Sequence, residues 1–148
     1  MRLQLALNVV DLDSAVEFYT KMFDTKPAKT KPGYANFAID QPPLKLVLFE
    51  GDEAPDGSIN HLGVEVETAD EVLLAEARLT DSGLATSGVD ETICCFAEKT
   101  ETWIDAPDGN RWEWYVKQGD TEQLENTIVN RVSEGSAESP CADTTCCP

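Results

Sequence analysis

Apolar and polar positions alternate in two registers along this chain. The stretch "LQLALNVV" (3–10) is apolar and strand-like. "DLDSAVEFYTKMF" (11–23) places Val16, Tyr19, Met22 and Phe23 at helical spacing behind an Asp13 or Ser14 N-cap. Lys26 to Lys31 reads as an extended prolyl stretch. "YANFAI" (34–39) and "LKLVLFE" (44–50) read as strands, parted by the turn residues Asp40, Pro42 and Pro43. The order then repeats. "NHLGVEVE" (60–67) alternates Leu62, Val64 and Val66. "ADEVLLAEARLTDSG" (69–83) is an amphipathic helix with Gly83 at C′. "TICCFA" and "TETWIDA" follow, then the turn "PDGN" (107–110) and the strand "RWEWYVK" (111–117).

Each half is therefore β-α-β-β-β. The expected fold class is α+β, with two modules over about 2–50 and 59–117 forming one domain, 2–117. From 118 to 148 the composition turns polar, and this segment is expected to be an acidic, cysteine-containing, mobile tail. "LENTIVNRV" within it could form a turn of helix. Gln4 and His61 hold matching places in the two copies, each eight or nine residues before its helix.

Composition narrows the function classes. At 148 residues and 41% hydrophobic, the chain can build a core. A formal net charge of −17 repels phosphate backbones and anionic headgroups, which argues against nucleic-acid or membrane-surface partners. Asp11 and Asp13 interrupt the only N-terminal apolar run, and no stretch approaches a membrane span, so a cytoplasmic location is expected. Thiols stay reduced there. Five cysteines, four of them in the doublets Cys94-Cys95 and Cys146-Cys147, do not read as a disulfide framework. They point to metal, metalloid or redox chemistry.

The βαβββ duplication, together with "KPGYANFAIDQPPLKLVLFE", "NHLGVEVE", "CCFA" and "RWEWY", resembles the vicinal oxygen chelate superfamily of glyoxalases, extradiol dioxygenases and bleomycin-resistance proteins. Within it the chain is most similar to the branch of organoarsenical carbon–arsenic lyases and cadmium-induced proteins. The resemblance covers about 2–117 and implies an open, glyoxalase-like barrel. It also implies a non-haem Fe(II) on Gln4, His61 and Glu113. His61 is the only histidine, and alternation sets Arg111, Glu113 and Tyr115 on one face of the last strand. A Glu turned into a concave interior needs a compensating partner, and a divalent cation is one; Arg111 or Lys117 is another. The first copy offers Lys45 at the place of Glu113, which favours a three-residue site.

The same resemblance gives Cys94 and Cys95 the role of binding a trivalent methyl- or aryl-arsenical, whose two open valences match two thiolates. Neighbours on a flat strand point to opposite faces, so the pair converges only at a bulge or a strand end. Two buried small residues are the plain alternative. Tyr34, Asn36, Phe37, Trp103 and Tyr115 are candidates to line the substrate pocket, or to pack the core. Cys141, Cys146 and Cys147 could offer further thiolates. Relatives carry a lysine in "DKVW", where this chain reads "ETETW". The implied activity is Fe(II)- and O2-dependent release of arsenite from an organoarsenical, a detoxification. The alternatives are a non-catalytic thiol binder of Cd or As, and a dioxygenase or isomerase acting on another small molecule. Both copies lie in one chain, so a monomer can complete its own site.

Overall fold

The computed structural model describes residues 1–51 and 58–135. The chain forms two compact units, Arg2–Leu62 and Gly63 onward. The first holds β1 (Arg2–Val9), α1 (Leu12–Phe23), β2 (Lys29–Lys31), β3 (Tyr34–Ile39) and β4 (Leu44–Glu50). β5 (Ile59–Glu65) leads into the second, with α2 (Ala69–Asp81), β6 (Gly88–Cys94), β7 (Ala97–Asp105), β8 (Arg111–Asp120) and β9 (Thr127–Glu134). The α+β class and the two βαβββ copies stand as expected. No helix among the described residues is long and apolar enough to cross a membrane.

In the first unit the strand order is β2-β3-β4-β1, with β1 and β4 parallel and the rest antiparallel. Period-two alternation sorts the side chains. Ala35, Phe37, Ile39, Leu46 and Leu48 pack with Leu12 and the apolar stripe of α1 (Val16, Tyr19, Phe23). The register pairs Gln4 with Lys45, Asn8 with Phe49, Tyr34 with Phe49 and Asn36 with Val47, so these share the opposite face. The N-cap of α1 is Asp11, not Asp13 or Ser14: the Asp11 side chain accepts the Ser14 N–H at 3.0 Å.

In the second unit the order is β8-β7-β6-β9. Helix α2 opens with a capping box between Thr68 and Glu71. Val64, Val66, Val72, Val89 and Val116 form the core beneath it. Gly83, with φ +83°, follows its C-cap Ser82 as expected.

The expectation of a mobile tail from 118 is corrected over much of its length. β8 runs to Asp120, and 127–134 is a strand, not a turn of helix. β9 pairs antiparallel with β6. Thr127, Ile128, Val129 and Val132 favour extended backbone. Polar ties fix the pairing: Arg131 Nε donates to the buried Asp90 carboxylate at 3.0 Å, and Val89 N–H donates to Ser133 Oγ at 3.0 Å.

Backbones meet closely where β9 ends. A Cβ on Gly88 (φ +80°) would lie 2.3 Å from the Ser133 carbonyl oxygen. Gly109 has a similar φ of +84° but nothing within 4 Å. Gly109→Ala should therefore cost only about 1 kcal/mol of left-handed strain. Gly88→Ala adds a backbone collision and should cost roughly 3 kcal/mol or more. Thermal melts of the two variants measure the difference, and equal losses would mean that β9 does not press on β6.

Candidate functional site

In the first unit, Gln4 and His61 are buried and meet side chain to side chain, Gln4 Nε2 to His61 Nε2 at 3.1 Å. His61 Nδ1 lies 2.7 Å from Asn60 Oδ1, and Asn60 Nδ2 donates to Asn8 Oδ1 at 3.0 Å. A carbonyl acceptor at Nδ1 places the ring proton there and leaves the Nε2 lone pair facing Gln4. Such an outer hydrogen bond is how a ligating imidazole is oriented. A half-turn of the Gln4 amide brings its oxygen to the same point. An amide oxygen and an imidazole nitrogen can then converge on one cation. The His61 ring stands 6.5 Å from that of Phe49.

In the second unit, the register sets Thr92 opposite Lys99, Cys94 opposite Ala97, Glu101 opposite Tyr115 and Trp103 opposite Glu113. One face therefore carries Cys94, Lys99, Glu101, Trp103, Glu113 and Tyr115, and all six are buried. Glu113 has no exposed surface. Its counter-charge is Lys99, with Nζ 2.6 Å from Oε1; Glu101 Oε2 is 3.7 Å from the same ammonium. The Lys99 ammonium also stands 5.0 Å over the Tyr115 ring. Burial pushes the Glu101 carboxyl up to about 8; Lys99 pulls against this and Glu113 adds to it. Lys99 lies two residues before Glu101, on the same face.

The thiol doublet sits at a strand end. Cys94 closes β6, and Cys95-Phe96 form the two-residue loop to β7. Both loop residues have positive φ, 56° and 62°, as a type I′ hairpin turn requires. Asn and Gly usually fill such positions; here each side chain costs about 1–2 kcal/mol of left-handed strain. The following segment holds the turn. Cys95 N–H donates to Leu124 O at 2.9 Å, Phe96 N–H to Gln123 O at 2.8 Å, and Thr121 N–H to Phe96 O at 3.0 Å. The turn defeats strand alternation and brings the Sγ atoms within 3.0 Å of one another. One sulfur donates its hydrogen to the other across that distance.

The other candidates divide. Tyr34 and Asn36 share the face of Gln4, and Asn36 Nδ2 donates to Tyr34 Oη at 2.9 Å. Phe37 points the other way, into the core under α1, so a pocket role for it is corrected. Trp103 and Tyr115 are on the Glu113 face. Cys141, Cys146 and Cys147 lie outside the described residues. Asn60, Lys99, Glu101 and the strap at 121–124 were not foreseen. The "KTETW" run carried a usable signal, because period two places Lys99, Glu101 and Trp103 on one face.

A family model described as the glyoxalase/bleomycin resistance protein/dioxygenase superfamily matches residues 3–114. The chain is a member of that superfamily. It is 51% identical over 123 residues to a "trivalent organoarsenical cleaving enzyme" of Thermomonospora curvata, covering 83% of this chain and 82% of that protein. It is 48% identical over 141 residues to a "cadmium-induced protein CadI" of Mycobacterium tuberculosis, covering 95% and 92%. Among solved structures, the Mn(II)-bound glyoxalase of Novosphingobium aromaticivorans superposes with a TM-score of 0.58 at 18% identity. It covers 82% of this chain and 40% of that one, a likeness of fold.

Among the described residues no group of three or more His, Cys, Asp or Glu side chains gathers as a metal site. Gln4 and His61, within the first unit, offer an amide oxygen and an imidazole nitrogen, donors that fit a divalent cation of borderline hardness. Glu113, fully buried, is a carboxylate that needs a cation beside it.

Two outcomes follow from the buried charges. Lys99→Met strands the Glu113 carboxylate and should destabilise the metal-free protein by about 3–5 kcal/mol. Adding Glu113→Gln should restore most of that loss in denaturant melts. Separately, the folded state raises Glu101 from 4.5 to about 8. Between those values it keeps a proton that the unfolded chain has released, so stability falls as pH climbs through this window and levels off above it. Glu101→Gln should flatten that slope, measured as denaturant midpoints against pH.

Proposed function

We propose that this protein is an Fe(II)- and O2-dependent enzyme that cleaves the carbon–arsenic bond of trivalent methyl- or aryl-arsenicals and releases arsenite. The observation that carries the reading is the strapped turn. It presents two sulfurs 3.0 Å apart, with Cys94 on the same buried face as Glu113. The names of the Thermomonospora relative and of a Bacillus sp. relative, 38% identical over 121 residues, support the substrate class.

In this reading Cys94 and Cys95 act as thiolates. Two As–O bonds break as two As–S bonds form, and the protons the two thiols give up leave with the hydroxyls of R–As(OH)2 as two waters, which leaves the organic group as the third substituent. Soft sulfur selects soft trivalent arsenic, while Gln4, His61 and Glu113 supply harder donors to iron. Ferrous iron would supply the binding and activation of O2. Asn60 holds the His61 ring in the ligating tautomer, and Lys99 balances the charge of Glu113. Trp103 and Tyr115 wall the face around Glu113. Tyr34 and Asn36 present hydroxyl and amide groups on the Gln4 face. A cytoplasmic location, where thiols are kept reduced, suits this chemistry.

The relative named for cadmium induction supports a second reading, a binder of Cd(II) or arsenite through the thiols alone. One set of assays separates the two. Fe(II)-loaded protein with methylarsenite, thiol reductant and air should yield arsenite, read by arsenic speciation. Cys94→Ser and His61→Ala should each lose at least 100-fold in rate. If His61→Ala abolishes Fe(II) binding but spares Cd(II) binding, both sites are real. If wild type forms no arsenite yet binds Cd(II), the protein is a sequestering one. Normal turnover by Cys94→Ser would remove the thiols from the mechanism.

A further inference from the structure

The Glu113 carboxylate already has a cation. We propose that Lys99 is a resident counter-cation that occupies Glu113 in the metal-free protein and must leave it for a divalent ion to bind, so that Lys99 sets the protein's metal affinity. This inference rests on Glu113 being a metal ligand.

The geometry carries it in three steps. First, Lys99 is itself buried, 5% exposed, and its ammonium is 2.6 Å from Glu113 Oε1. A buried lysine of this kind is held by its partner, and a buried carboxylate is held in turn. Second, the two cations cannot share that oxygen. An ammonium at hydrogen-bond distance and a divalent ion at about 2.1 Å from one carboxylate oxygen would repel each other strongly in so dry a setting. Third, the ammonium has somewhere to go. Glu101 Oε2 is 3.7 Å away on the same face, and the Tyr115 ring lies 5.0 Å below. A carboxyl oxygen accepts from an ammonium, and an aromatic face attracts one. The flexible four-carbon stem of lysine permits the swing, which a rigid guanidinium fork would hinder.

Metal binding is then an exchange of one cation for another. The exchange keeps the metal-free protein folded and its carboxylate neutralised. It also weakens binding, because the incoming ion must displace a partner as well as shed water.

Mn(II) serves as a redox-inert probe, titrated into full-length protein by calorimetry, with thermal melts of each form. Lys99→Met keeps the stem and removes the charge. It should bind Mn(II) at least tenfold more tightly than wild type, and Mn(II) should raise its melting temperature by more. Lys99→Arg retains the charge and should show no tightening. Glu101→Leu removes the alternative seat and should weaken binding severalfold with little change in the metal-free melt. If Lys99→Met binds with unchanged or lower affinity, the exchange does not occur. Should Lys99→Met fail to fold without metal, unaltered affinity in Glu101→Leu overturns the inference instead. His61→Ala is the control for the underlying reading. Mn(II) binding that is indifferent to His61 overturns the ligand assignment and this inference together, whereas binding that needs His61 but ignores Lys99 and Glu101 overturns this inference alone.

Discussion

A carboxylate with no exposed surface sits near the start of β8, and much of the second unit answers to it. Burying Glu113 without a cation would cost several kcal/mol. Lys99 meets that demand from β7, and Lys99 in turn requires burial of its own stem. Glu101, Trp103 and Tyr115 complete a face that is polar and dry at once. Such a face adds little to stability. It holds charges in low dielectric, where small displacements of ions carry large energies.

The two copies of βαβββ divide this labour differently. Each opens with a neutral donor on its first strand, Gln4 in one and His61 in the other, held by amide hydrogen bonds through Asn60 and Asn8. The second supplies charge and sulfur. Both place their apolar residues beneath a helix and their polar ones on the opposite side of the strands. The duplication thus repeats the scaffold while the inner faces diverge in chemistry.

Much of the scaffold was legible from side-chain periodicity. β3 and β4 fell on the expected residues because alternation and the flanking Pro and Gly turns agree. β9 was missed. Its apolar and polar residues do not sort to separate faces, and its anchor is Arg131 on Asp90, forty-one positions back, which no local window contains. Phe37 was offered as pocket lining because aromatics serve both roles, and only the register with β4 assigns it to the core. In the site, Gln4 and His61 were visible as matching places in a repeat. The thiol convergence was not, because Cys95 and Phe96 take a conformation that their residue types disfavour. Contacts from 121–124 impose it, and local propensity cannot reveal them.

The equivalent hairpin in the first copy shows what that imposition means. There β2 passes to β3 through Pro32-Gly33, with Gly33 at φ +73°. A glycine turns that corner in a conformation it adopts without side-chain strain, and its carbonyl accepts the Glu50 N–H at 2.9 Å. The second copy turns its corner on two bulky side chains and borrows carbonyls from beyond residue 114, where the family match ends. The cysteine doublet and the C-terminal extension are therefore a single transplantable part. Grafting "CCF" into a sister protein that lacks the extension would deliver the sulfurs without their convergence, and trimming this chain to its repeat would keep the residues and lose their approach.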